Sequence, residues 1–424
     1  MTDYIDTYYT RTLGEAEAYP ALAGTAKTDV CVIGGGLAGL NTALGLLERG
    51  RQAVVLEAAR IGWAASGRNG GFVAKGYSAG ETVLAEKLGQ EQAKALIALS
   101  RAGRATIRDR IDRYDIDCGP LVDGVLTVSW RDRAAEIEAK VASMNAKFGT
   151  DLEFWPRERV REHCKTERYF DGIFSPGDFQ FHPLNYVQGL ARAIQQKGGP
   201  VHEQSRALRI ERSGNGFTVH TAGGRVEAKQ VVLCCSIDVN GLDPRLARAA
   251  FPILTFVMVT EPVDPKMLAN SINTFHAVYD MRFASDYYRV LPDNRILWGG
   301  RVGVRDEPKE LAQLLLGDLL KVYPQLEGHA KPEMAWSGRL CYAPHKMPQI
   351  GQLEDGYWYN TCFGGHGLVP TTVGGEIVAS AIAEGDQRYR LFAPFGLDYA
   401  GGRLGPYAAQ LIYYWWRLRD YLGL

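Results

Sequence analysis

The chain has 424 residues, with 48 Lys and Arg set against 48 Asp and Glu, so its formal charge is zero. Nucleic acids and anionic membranes are bound through clustered cations, and a balanced chain argues against both. At about 150 residues per domain the length suggests two or three domains, and the 48 glycines exceed the roughly 7% share of an ordinary chain.

The first twelve residues have neither a basic start nor an apolar run, so no secretory signal is expected. No window reaches the ~20 apolar residues of a membrane helix. The first regular pattern is Thr28-Asp29-Val30-Cys31-Val32-Ile33, a β-branched run that stops at three glycines and reads as a buried strand. Leu40, Ala43, Leu44 and Leu47 then recur at helical spacing, Gly50 caps the end, and Ala53-Val54-Val55-Leu56 follows as a second buried strand. Strand, glycine turn, helix and strand form a βαβ unit with parallel strands. Residues 81–117 and 131–148 read as amphipathic helices around a strand at 124–130. A meander follows through 208–211, 217–221 and Val226 and runs into a buried strand expected at 231–235. Strands are then expected at 287–291 and 295–300 and a helix at 309–322. No repeat or low-complexity linker is visible, so the domains are expected to interleave.

The seven cysteines, at 31, 118, 164, 234, 235, 341 and 362, are scattered without a CxxC pair and read as reduced thiols of a cytoplasmic protein. The eight histidines show no metal-ligand spacing, so no metal site is expected.

Three glycine-rich segments carry the chemistry. Gly34, Gly36 and Gly39 satisfy GxGxxG after the first strand, giving a tight turn, close backbone approach to a pyrophosphate, and close packing of helix on strand. The helix begun by Leu37 and Ala38 offers N–H groups and a positive dipole end to phosphates. Glu57 closes the second strand, 18 residues after Gly39, where a carboxylate accepts from ribose hydroxyls. Ala58 then leads into Ser66-Gly67-Arg68-Asn69-Gly70-Gly71, a loop of small residues suited to follow an extended cofactor, against the reading of an ordinary exposed loop. The third segment, Gly364-Gly365-His366-Gly367-Leu368, opens a helical pattern whose N–H groups suit the partial negative charge of a reduced flavin. His366 and Lys346 are candidates for a direct catalytic part, set against the commoner packed histidine and surface lysine.

These segments, with residues 181–186, residues 288–300 and the early Tyr8-Tyr9, resemble the D-amino-acid oxidase superfamily of FAD-dependent oxidoreductases. Within it the chain is similar to γ-glutamylputrescine oxidase-like amine oxidases, whose Val-Leu-Glu-Ala-Ala-Arg-Ile-Gly and Ala-Ser-Gly-Arg-Asn-Gly-Gly strings stand here at 55–62 and 65–71. The resemblance implies an α/β architecture: a Rossmann-type FAD-binding domain from residues 1–80, 155–238 and 340–395, interleaved with an α+β substrate domain on an antiparallel sheet. The latter would come from residues 81–154 and 239–339, and residues 396–424 would form a C-terminal docking segment. It adds Ala207 and Gly338 to the cofactor-binding residues. Cys341 lies in the region where related sarcosine oxidases attach flavin covalently, but its segment is shorter than theirs, so non-covalent FAD and a buried inert thiol are expected.

The implied reaction is oxidation of a C–N bond in a primary or secondary amine, γ-glutamylputrescine or a similar polyamine derivative, by hydride transfer to flavin N5, with O2 reduced to H2O2. The alternatives are an oxidase or quinone-linked dehydrogenase of a secondary amino acid (pipecolate, proline or sarcosine), and a non-catalytic FAD-binding subunit of a larger complex. In the dehydrogenase reading the aromatic run 410–421 would touch membrane; otherwise it would be a helix docked on the core. Sarcosine-oxidase relatives carry a Lys where Val369 stands, so one α-carboxylate anchor is expected to be missing. Tyr279, Tyr288, Arg289 and Trp298 are the substrate-site candidates, against the reading that they pack or pair within a sheet.

Overall fold

Val30 to Ile33 are fully or almost fully buried because they form the inner end of strand Gly24–Ile33, at the centre of an eight-stranded sheet. The computed structural model describes residues 3–239, 241–304 and 307–422; Met1 and Thr2 of the N-terminal stretch lie outside them. Gly34 turns the chain with φ of 118°, a conformation that glycine adopts without penalty. Helix Leu37–Glu48 follows, and strand Ala53–Leu56 returns parallel to the first, pairing Val32 with Val55 and Ile33 with Leu56. On the other side Gly24–Ile33 pairs in parallel with Gly224–Leu233, which pairs in parallel with Trp358–Thr361. Val201–His202 extends the sheet beyond Ala53–Leu56, and Gln349–Gln352 closes the opposite edge antiparallel.

These parallel strands end at one edge, with Ile33, Leu56, Leu233 and Thr361. Ligands of open parallel sheets bind outside that carboxyl edge. The strand expected at 231–235 belongs to the inner half of a ten-residue strand, Gly224–Leu233, which ends at Leu233. Its outer half holds the hairpin Arg209–Ser213 and Gly216–His220 and buries only alternate residues, Val226 and Ala228, while Val231 to Leu233 are buried in one run, a change of texture within a single strand.

The second sheet has nine strands. From one edge they run Pro332–Tyr342, Phe251–Thr260, Ile296–Gly303, Tyr287–Val290, Ala277–Asp280, Val122–Val128, Gly172–Gln180 and Phe72–Val73, with Glu153–Trp155 on Gly172–Gln180. All pairs are antiparallel except Ala277–Asp280 with Val122–Val128. Phe72–Val73 and Gly172–Gln180 fall in ranges assigned to the FAD-binding domain yet belong to this second sheet. The chain rejoins the first sheet's layer with helix Pro183–Gln196, which packs against helix Leu37–Glu48.

One face of the parallel sheet is covered by Leu37–Glu48, Pro183–Gln196 and Leu368–Glu384, whose side chains share one apolar core with Gln90–Arg113. A separate core lies between the antiparallel sheet and helix Leu311–Val322. No helix among the described residues is long and apolar enough to cross a membrane.

Candidate active site

A cleft of about 1280 Å³ runs from the carboxyl edge of the parallel sheet to the antiparallel sheet. Ile33, Gly34, Leu56, Glu57, Cys234 and Cys235 line its sheet end. Gly34 is irreplaceable locally, because a Cβ there would stand 2.6 Å from the Cys234 carbonyl oxygen. Gly36, Leu37 and Ala38 line the cleft; Gly39 does not, and a Cβ on it would meet the Gly34 carbonyl, in keeping with the helix-on-strand packing that its place in GxGxxG implies. A helix leaves its first N–H groups without intrahelical acceptors. Ser66 Oγ takes one, accepting from Leu37 at 3.0 Å, and the remainder of that first turn is available to an anion.

Glu57 and Ala58 line the cleft directly after the second strand. One Glu57 carboxylate oxygen accepts from the Gly35 N–H and the other from the Ala59 N–H, each at 2.7 Å. Burial pushes this carboxyl up, and the two N–H groups pull it back toward the charged form.

The 66–71 segment is tied by Asn69, which donates to the carbonyls of Ala65 and Ser66 and accepts from Gly71 N–H at 2.8 Å. Ser66, Arg68, Asn69 and Gly70 face the cleft; Gly67 and Gly71 do not, being needed for close approach to Gly62 and to Phe181. The Arg68 guanidinium lies over the Trp63 ring, 4.4 Å from its centroid. Burial pulls it down to about 10, and its buried Nη2 has no protein partner.

Across the cleft stand Ala207, Gly338 and residues 364–368. Gly367 precedes helix Leu368–Glu384, and a Cβ on it would meet nothing within 4 Å, so protein packing does not demand a glycine there. His366 bonds the Ala74 carbonyl through Nε2 at 2.8 Å, which holds segment 74–78 to this loop. Lys346 lines the mouth, its ammonium 4.3 Å from the centroid of Trp416.

The antiparallel sheet supplies the facing wall of the cleft. Tyr279 lines the cleft, as do Phe72, Tyr287 and Tyr342. Tyr288 and Trp298 do not: they stack at 4.7 Å on the other face of the sheet, where the Tyr288 hydroxyl bonds that of Tyr323 at 2.5 Å. Arg289 is buried beneath Gly71, donating to Gln180 Oε1 at 2.7 Å and to the Tyr9 hydroxyl at 3.0 Å. Adjacent strand residues point to opposite faces, so Tyr287 and Tyr288 could not share one site; alternation was the signal that separates them. Val369 is fully buried against Gly103 and brings no cation to the cleft.

A Rossmann-type sheet that presents its strand ends to an antiparallel sheet across one long cleft is the arrangement of a dinucleotide-dependent enzyme. The profile of the family described as "DAO: FAD dependent oxidoreductase" matches residues 29–381, and the chain belongs to that family of flavoenzymes. It is 33% identical to the gamma-glutamylputrescine oxidoreductase of Escherichia coli (strain K12) over 430 residues, covering 100% of both chains. It is 30% identical to the probable oxidoreductase OrdL of Haemophilus influenzae, covering 92% of this chain and 91% of that one. The fold is also that of glycine oxidase from Geobacillus kaustophilus, with a TM-score of 0.73 at 19% identity, covering 88% of this chain and 99% of that one.

The residues present fit the FAD that this family uses. A dinucleotide brings a doubly anionic pyrophosphate, and the cleft offers a helix N-terminus together with an arginine whose buried Nη2 lacks a partner.

Proposed function

We propose that this enzyme oxidises a C–N bond of a primary or secondary amine, with γ-glutamylputrescine or a similar polyamine derivative as substrate, and reduces O2 to H2O2. The observation that carries this reading is the cleft wall of Phe72, Tyr279, Tyr287 and Tyr342 beside loop 364–368. Aromatic faces pack an alkyl chain and attract an ammonium group. The arginines that line the same cleft at 301 and 339 are paired with Asp318 and Asp238, so neither is free to anchor an α-carboxylate. The full-length match to a relative named for γ-glutamylputrescine supports the same substrate class.

FAD, when bound, supplies the hydride acceptor. In this reading Gly34, Gly36, Leu37, Ala38 and Glu57 hold its ADP half, Ser66 to Gly70 follow the pyrophosphate, and residues 364–368 lie under the ring. The aromatic wall orients the amine and excludes water, so no side-chain base is required. Lys346 brings to the mouth a cation that no carboxylate neutralises among the described residues.

The test is to mix the holoenzyme anaerobically with a panel of amines and amino acids, follow the flavin absorbance, then admit air and assay peroxide. Bleaching by γ-glutamylputrescine followed by H2O2 is expected. No bleaching by any amine would refute the amine reading; bleaching without peroxide would make the enzyme a dehydrogenase; preference for proline or pipecolate would replace the substrate.

A further inference from the structure

Cys341 stands one residue before the end of strand Pro332–Tyr342 in the antiparallel sheet, and Cys362 directly follows Trp358–Thr361 in the parallel sheet. The fold brings their sulfurs to 3.1 Å, and both side chains are buried. Of the two, only Cys341 lines the cleft. Cys362 lies behind it with a left-handed φ of 58° and opens the loop that carries Gly364 to Leu368. The Gly364 N–H donates to the Cys341 carbonyl at 3.0 Å, so the two cysteines already share a backbone tie.

We propose that Cys341 and Cys362 are a peroxide-responsive dithiol, in which H2O2 reaching the cleft oxidises Cys341 and Cys362 then closes a disulfide with it. In the first step the Cys341 sulfur attacks one peroxide oxygen, the O–O bond breaks, and a sulfenic acid and water result. In the second the Cys362 sulfur displaces the sulfenic hydroxyl as water and the S–S bond forms. Two thiols and one H2O2 thus become one disulfide and two waters, with two electrons passing from sulfur to peroxide oxygen. The source of peroxide rests on the oxidase reading above; the chemistry of the pair does not.

The two sulfurs differ in the sense this sequence of steps requires. Hydrogen bonds from Cys362, and from Ser236 and Thr361, hold the Cys341 thiol below its usual value, while burial pushes the Cys362 thiol well up. The thiolate therefore falls to the sulfur that faces the cleft, and the proton to the one behind it. Closure shortens the sulfur separation to about 2.05 Å, drawing the start of loop 363–368 toward the antiparallel sheet. Amine turnover is expected to fall when the bond forms and to recover on reduction.

The test adds H2O2 to the FAD-loaded enzyme, counts free thiols after denaturation and maps them by peptide mass spectrometry. Of the seven thiols, two are expected to disappear into one cross-linked peptide pair, Cys341 with Cys362, leaving five, and dithiothreitol is expected to restore all seven. Cys362→Ser should leave a sulfenic acid at Cys341 that dimedone traps, and Cys341→Ser should leave Cys362 reduced. Seven thiols after peroxide, a disulfide between other cysteines, or oxidation of Cys362 in Cys341→Ser would each overturn the proposal. A second arm generates peroxide by amine turnover, with and without catalase. Closure by added peroxide but not by turnover upholds the dithiol and counts against the oxidase reading.

Discussion

Both oxygens of Glu57 are engaged by backbone N–H groups, and that costs the residue its tolerance of even a conservative change. Glu57→Gln would set an amide NH2 against one of those donors, a loss of about 1–3 kcal/mol. FAD should bind roughly 5- to 150-fold more weakly, read from the fluorescence of released cofactor. Tyr279 is a subtler case, because its ring lines the cleft without lining the cofactor loops. Tyr279→Leu should raise KM for the amine several-fold, in line with a cation–π contact of about 0.5–2 kcal/mol, while FAD content stays unchanged. Away from the cofactor, Asp286 is buried between Asp280 and Arg282, and burial, only partly offset by Arg282, pushes its carboxyl up to about 7 from 3.8. A raised carboxyl favours the protonated folded state, so this contribution to stability is complete below the unfolded value and is lost as pH rises through about 7. Asp286→Asn mimics the protonated form, and its melting temperature should gain on the parent protein between pH 4 and 8; a constant gap would contradict the assignment.

Helix Gly405–Leu422 is the element that closes the mouth of the cleft. Tyr413 is buried, Trp416 stacks on Phe283 at 5.9 Å, and the Asp420 carboxylate accepts from the N–H groups of Phe283 and Ala284 at 3.3 and 3.0 Å. Leu411, Tyr414, Trp415 and Leu418 stay exposed on it. Asp420→Ala should loosen this helix alone: faster amide exchange over 405–422 and faster limited proteolysis, with the main melting transition in place. Other elements show where sequence signals gave out. The βαβ unit was legible because buried parallel strands leave uninterrupted apolar runs. Strand Gly172–Gln180 was not, since Pro176 and Gly177 interrupt it and its pairing with Val122–Val128 shifts register there. Tyr287 and Tyr288 are both aromatic, so sequence alone could not say which face holds the cleft; helix Leu311–Val322 decides it by covering the Tyr288 side. Cys341 and Cys362, 21 residues apart, meet only because two sheets end side by side.

Across the whole molecule, glycine abundance resolves into positions with distinct tasks. Segments 34–39, 66–71 and 364–368 come from the beginning and the end of the chain, and the fold gathers them around one cleft. The GxGxxG turn, with Gly39 packing helix on strand as its spacing implies, and Glu57 are readable from local pattern because their geometry is local, whereas Gly67 and Gly71 are closely packed glycines that no spacing rule separates from lining ones. The aromatic wall of the cleft comes from the other sheet, so neither sheet alone forms the cleft. That account predicts one extended FAD touching all three segments at once. Hydrogen–deuterium exchange on the holoenzyme and on protein stripped of FAD measures this most directly. Protection by FAD is predicted at 34–39, 66–71 and 364–368 together; protection confined to 34–39, with 364–368 unchanged, would contradict it.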